Sequence, residues 1–294
     1  MGRLVARHYR TKQFLKLADH TYVECGTGAR GWHCKGGKSG GAMLSQATGS
    51  TAMADMLAMP DEFADVGTYL VDGVCHQAAN RILLATDQAI AVRDARGYRV
   101  SEAVYGAYGR KTSAQYWQWV GSLKAASLGD FAACSDPTPV AYVDPFWVTE
   151  GAAHERQYLA RVRAFYEERS PVGELTDDEL VQFQTDLFAL AIERALGPDS
   201  AEAPRLLDIR REAEAERVRL ERTAAWDQFV AFDTTVHYVD WLDDFTIRFQ
   251  DQCAEVLSAV RYESLFEMPR EERVVLADRS ILNALHWNLS DDFR

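Results

Sequence analysis

Three residues of the 294-residue chain have types and an order suited to acyl chemistry: His20, His33 and Cys75. Asp72-Gly73 breaks the run that precedes Cys75, and Val74, Ala78 and Ile82, with Ala79 and Leu83, then follow at helical spacing. Cys75 is therefore expected in the first turn of a helix. There the unbonded amides and the positive end of the helix dipole favour thiolate over thiol, and a thiolate attacks carbonyl carbon. Such a nucleophile needs a base. His20 opens the strand-like segment His20-Thr21-Tyr22-Val23-Glu24-Cys25 and is the candidate base, with His33, thirteen residues on, as the group that orients its imidazole. Amides at the same helix start would hold the oxyanion of a tetrahedral intermediate. His76 points about 100° away around the helix and reads as a flank or substrate contact. Gln77 and Asn80 read as a solvated helix face.

The same region admits a different chemistry. His20, Cys25, His33 and Cys34 are four zinc-ligand types within fifteen residues, in a glycine-rich stretch able to wrap a small ion. The spacing suits zinc poorly, because adjacent residues such as His33 and Cys34 seldom reach one ion together. On this alternative the protein is a non-enzymatic, zinc-stabilised interaction module with an acidic helical arm. On the first reading no cofactor is required. The segment GGKSGG lacks the spacing of a phosphate loop.

The order of these residues resembles the circularly permuted branch of the papain-like cysteine hydrolases and acyltransferases, which includes lecithin:retinol acyltransferase-like proteins and permuted NlpC-type peptidases. In that branch the histidine strand precedes the cysteine helix. Here His20 lies in HTYVEC, His33 in GWHC and Cys75 in DGVCHQAANRI, and the resemblance covers about residues 15–110. It implies cysteine-dependent cleavage of an amide or ester, or acyl transfer, with a peptide or isopeptide-like amide as the first expectation for substrate.

The elements that must position these residues divide the chain. Residues 26–41 hold seven glycines in sixteen positions, which regular helix does not tolerate. A β-hairpin is expected there, turning at Gly26–Arg30 into a short strand around Trp32–Cys34. Ser45–Ala64 is loosely patterned, Ala89–Asp94 alternates like a strand, and the aromatic stretches Tyr98–Tyr108 and Gln115–Val120 should be packed. The rear is helical: Ala152–Arg169, then a helix opened by the capping box Thr176-Asp177-Asp178-Glu179 and stopped at Gly197-Pro198, then a long pattern from Ala203 to Val260. Trp226, Phe229, Phe232, Tyr238, Trp241 and Phe245 form a stripe that reads as a helix–helix seam. Asp240, Asp243 and Asp244 read as a solvated acidic face, and His154, His237 and His286 lack matched partners. The expected fold is α+β, with a papain-like catalytic domain over 1–145 and a helical bundle or arm over 146–294.

Composition excludes several classes. With 47% hydrophobic and 26% charged residues the chain is an ordinary globular protein. Its net charge of −12 conceals a split, since residues 1–120 carry 14 basic against 10 acidic side chains and residues 121–294 carry 18 against 34. The acidity belongs to the helical half and argues against a nucleic-acid partner. No apolar run approaches the length of a membrane span, and the opening residues lack the apolar core of a signal peptide, so a cytoplasmic location is expected. Five cysteines (Cys25, Cys34, Cys75, Cys134 and Cys253) are then expected as thiols or ligands. The expected partner is a peptide or protein substrate. The helical half would serve as lid, docking surface or homo-oligomer interface, which its sequence does not distinguish.

Overall fold

The computed structural model describes residues 2–9, 17–25, 28–30, 41–58, 70, 73–86, 89–110, 150–169, 175–223 and 232–277. The fold is α+β. Four antiparallel strands, β1 (Gly2–Tyr9), β2 (His20–Cys25), β3 (Gly28–Arg30) and β4 (Ala42–Gly49), lie in the order β3-β2-β1-β4. β1 is interior to the sheet, and its consecutive residues Leu4, Val5 and Ala6 are all buried. A strand covered on both faces carries no apolar–polar alternation, which is why GRLVARHY does not announce itself as one. The hairpin pairs Cys25 with Gly28 and Val23 with Arg30, so its second strand starts inside the stretch expected to be only a turn. Trp32, His33 and Cys34 lie outside the described residues.

Three helices accompany the sheet: α1 (Thr51–Ala58), α2 (Cys75–Leu83) and α3 (Tyr98–Tyr105). β4 and α1 thus fill the loosely patterned stretch. Ala89–Asp94, expected as a strand, belongs to no strand. Its backbone is occupied otherwise, since the Val92 N–H donates to Asn80 Oδ1 at 3.0 Å. The rear comprises α4 (Glu150–Glu168), α5 (Asp177–Leu196), α6 (Ala203–Thr223), α7 (Phe232–Val256) and α8 (Ala259–Phe266). α5 opens on the expected capping box, with Thr176 Oγ1 accepting from the Glu179 N–H and Glu179 accepting from the Thr176 N–H, and it ends at Gly197. Among the described residues the long pattern from Ala203 to Val260 carries α6, α7 and the first residues of α8. No helix among the described residues is long and apolar enough to cross a membrane.

The cores run through both halves of the chain. Leu4, Ala6, Val23, Ala79 and Ile82 share one cluster with Tyr158, Leu159, Tyr166 and Leu187, while Val74, Val100 and Val104 share another with Phe188, Leu206, Leu242 and Phe245. The boundary expected near residue 145 falls outside the described residues. Tyr238, Trp241 and Phe245 stack along α7 at 6.0 and 5.0 Å between ring centroids, in keeping with a packed seam; Trp226 and Phe229 are outside the described residues.

Buried ions tie the halves as well. Arg99 on α3, 1% exposed along its side chain, reaches Glu102 and Glu155 at 2.8 Å and Glu267, just past α8, at 3.1 Å. Arg110 reaches Glu214 at 2.7 Å and Glu221 at 2.8 Å on α6. At Gly106, φ is +77°, and a Cβ there would collide with the Tyr166 hydroxyl and approach Leu187 to 2.7 Å. Gly106→Ala combines a left-handed backbone with overpacking, so it is expected to cost about 2–3 kcal/mol in denaturant unfolding. A cost under about 1 kcal/mol would contradict that packing.

Candidate active site

Helix α2 begins at Cys75 itself, after Val74 in extended conformation (φ −124°, ψ −172°). The Val74 N–H donates to Gln77 Oε1 at 3.0 Å, so the side chain three residues on closes the first turn. Cys75 is buried, 8% exposed. Its Sγ accepts the Thr21 N–H at 3.5 Å and approaches the Asp19 carbonyl at 3.8 Å, an S–H donor distance. Residues 19 and 21 flank His20. Fifty-five positions apart in sequence, Cys75 and His20 are neighbours in space, and the thiol lies against the backbone that carries the histidine.

The imidazole of His20 is directed by strand alternation. His20 and Tyr22 share a face of β2, their rings stacked at 6.4 Å, whereas Val23 on the other face packs in one core with Ala79, Ile82 and Leu83 of α2. The thiol therefore meets β2 at its backbone, between the two faces. A hydrogen bond to sulfur from Thr21 N–H strengthens as the sulfur gains charge, which adds to the favourable field of the helix start.

The segment bearing His20 is fixed from several directions. The Asp19 N–H donates to the Arg96 carbonyl at 2.9 Å, the Ala18 N–H to the Val275 carbonyl at 3.1 Å, and Leu17 forms a parallel bridge with Val275. The Asp19 carboxylate binds His8 Nδ1 at 2.8 Å and accepts the Arg96 N–H at 3.2 Å. Burial opposes the Asp19 charge, but these hydrogen bonds outweigh it and hold its pKa below the usual aspartate value.

His76 is neither flank nor substrate contact. It is 0% exposed, and both ring nitrogens are engaged: Nε2 at 2.8 Å from the Asp19 carbonyl and Nδ1 at 2.8 Å from Ser101 Oγ. A carbonyl only accepts, so the proton resides on Nε2, and Nδ1 accepts from the Ser101 hydroxyl. Burial pushes the His76 pKa down to about 4, which makes it a neutral brace rather than a base. Gln77 and Asn80, expected to face solvent, are 0% and 1% exposed. Gln77 Nε2 donates to Ser101 Oγ and to the Gly106 carbonyl, and Asn80 Nδ2 to Tyr98 Oη and the Ala107 carbonyl. Their acceptors are backbone carbonyls and side chains from a distant segment, and nothing in CHQAAN signals them. Asp19, His8 and Ser101 were likewise illegible as partners, since each meets the site only through tertiary packing.

Of the four residues considered for zinc, His20 and Cys25 are on β2, and His33 and Cys34 lie outside the described residues. Among the described residues no group of three or more histidine, cysteine, aspartate or glutamate side chains is arranged so that it could hold a metal ion. His154 is exposed on α4, and His286 lies outside the described residues. No family model, curated protein or solved structure matches this chain.

Proposed function

We propose that the protein is a cysteine-dependent hydrolase or acyltransferase acting on an amide of peptide or isopeptide type, with Cys75 as nucleophile and His20 as base. One observation carries the reading: the Cys75 sulfur, at the first residue of α2, touches the backbone on both sides of His20. The order of strand histidine and helix cysteine is that of the permuted papain-like enzymes it resembles.

His20 takes the proton from Sγ, and rotation about its Cα–Cβ bond governs how closely the ring approaches the sulfur. The thiolate adds to the carbonyl carbon, and the resulting oxyanion is met by the positive end of α2 at its first turn. Collapse breaks the carbon–nitrogen bond, the amine leaves with the proton held by His20, and a thioester remains on Cys75. Water or an acceptor amine, deprotonated by His20, then attacks the thioester and restores the thiol. His33 remains the proposed partner of the His20 ring.

The test exploits a second thiol. Cys253 is 0% exposed, and burial pushes its pKa far above the ordinary thiol value, so it serves as an internal control. Iodoacetamide at mildly acidic pH, followed by peptide mapping, is expected to label Cys75 about a hundredfold faster than Cys253, and His20→Ala should slow the Cys75 reaction. Uniformly slow labelling of both thiols would sink the nucleophile assignment.

A further inference from the structure

Five residues before the nucleophile stands Leu70, buried to 2% exposure, with φ of +68°. A branched side chain is disfavoured in that left-handed region, so the conformation persists only where surrounding contacts impose it. Here three donors converge on the Leu70 carbonyl. Tyr105 Oη of α3 donates at 2.8 Å, Arg217 Nη2 of α6 at 2.9 Å, and Tyr238 Oη of α7 at 3.3 Å. The Leu70 N–H in turn donates to the Gly73 carbonyl at 2.8 Å, which places the next residue, Val74, as the N-cap of α2.

The donors are themselves held. Arg217 lies over the Tyr105 ring at 4.6 Å and pairs with Glu221 at 3.1 Å, and the single hydroxyl hydrogen of Tyr238 is shared between Glu221, at 3.0 Å, and the more distant Leu70 carbonyl. Glu221 joins Arg110 as well, at 2.8 Å. Two of the three donors come from the helical half. The grip falls at the entrance to the helix that presents Cys75.

We infer that Tyr105, Arg217 and Tyr238 are positioning residues: by holding the Leu70 carbonyl they force the turn that delivers Cys75 to the Thr21 N–H. The helical half thereby bears on the reactivity of the thiol. This rests on Cys75 being the nucleophile. Release of the carbonyl lets Leu70 relax to negative φ, withdraws Sγ from Thr21 and weakens stabilisation of the thiolate.

The test compares the wild type with Tyr105→Phe, Tyr238→Phe and the double variant, each of which keeps its ring and loses one donor or two. The readouts are the pH midpoint of Cys75 alkylation and, in the same digest, the rate at Cys253, which lies in the core of the rear helices and reports general opening. The expected result for Tyr105→Phe and for the double variant is a Cys75 midpoint raised by at least half a pH unit, about threefold in thiolate fraction near neutrality, at an unchanged Cys253 rate. Tyr238→Phe, with the longest contact, should shift it least. A Cys75 midpoint within about 0.2 units of wild type in the double variant, or a change at Cys75 only in proportion to Cys253, would overturn the inference. If wild-type Cys75 itself reacts no faster than Cys253, the nucleophile assignment fails instead, so the two failures are distinguishable.

Discussion

Replacing Arg99 with methionine is expected to lower the stability of the fold by about 3–5 kcal/mol, the usual cost of leaving a buried carboxylate without its cation. Arg99 has 1% side-chain exposure, and its partners Glu102 and Glu155 have 2% and 5%. Glu102 retains the Tyr98 hydroxyl at 2.8 Å, but Glu155 has no other side-chain partner among the described residues. The loss therefore concentrates on α4, and through Glu267 on the turn after α8. Chemical unfolding at neutral pH measures it. Adding Glu102→Gln and Glu155→Gln to the same chain should recover a substantial part, because removing all three charges ends the desolvation cost along with the attraction. A single-variant loss below about 1 kcal/mol would show that water reaches these carboxylates and that the Arg99 cluster adds little to the hold between the two halves.

Between pH 6.5 and pH 4 the protein is expected to lose about 3 kcal/mol of stability through one residue, His76. The ring titrates near 6.5 in the unfolded chain and near 4 in the folded one. Within that window the unfolded state binds more protons, so stability rises with pH and is complete above about 6.5; below about 4 both states are protonated and the loss stops growing. The penalty comes from burial of charge rather than from broken hydrogen bonds. A protonated Nδ1 can donate to Ser101 Oγ, whose own hydrogen then turns to the Tyr98 carbonyl at 2.8 Å, leaving every group satisfied. Asp19 and Glu214, held below their ordinary values, act at lower pH: their stabilisation is present above the usual carboxylate range and fades as pH falls through their folded values, about 2 for Glu214. Urea midpoints taken from pH 7 to pH 4 test the assignment, with His76→Gln as the comparison. Its stability should change far less over the same interval. An equal slope in both proteins would remove His76 from the account.

The start of α2 was legible in the sequence because two independent signals agree there, the Asp72-Gly73 break and the apolar spacing from Val74 to Leu83. The capping box of α5 was legible for the same kind of reason, since its chemistry is local and complete within four residues. β1 was not, because a strand buried on both faces carries no periodic signature, and Arg3 and Arg7 interrupt its apolar run. Gln77 and Asn80 were misread as solvated because polarity was taken as exposure. Their partners, Gly106 and Ala107 carbonyls and the Val92 amide, belong to an irregular segment whose backbone needs side-chain hydrogen bonds. That same demand explains why Ala89–Asp94 failed as a strand: alternation alone does not supply a neighbouring strand. The proximity of Cys75 and His20 was expected from their order along the chain, whereas the brace of His8, Asp19, His76 and Ser101 depends on tertiary contacts that no spacing encodes.

The contacts of α2 with β2 have a consequence for association. Among the described residues β3 pairs with β2 from Val23 to Cys25, and Thr21 and Asp19 meet the start of α2 instead. The Thr21 N–H and the Asp19 carbonyl are taken by Cys75 Sγ and by His76 Nε2. An open row of such groups is a template on which another chain adds a strand and aggregation begins. The two residues that open α2 thus occupy backbone groups that an added strand would need, so the cysteine proposed to carry out the chemistry also takes up a hydrogen-bonding group of the sheet.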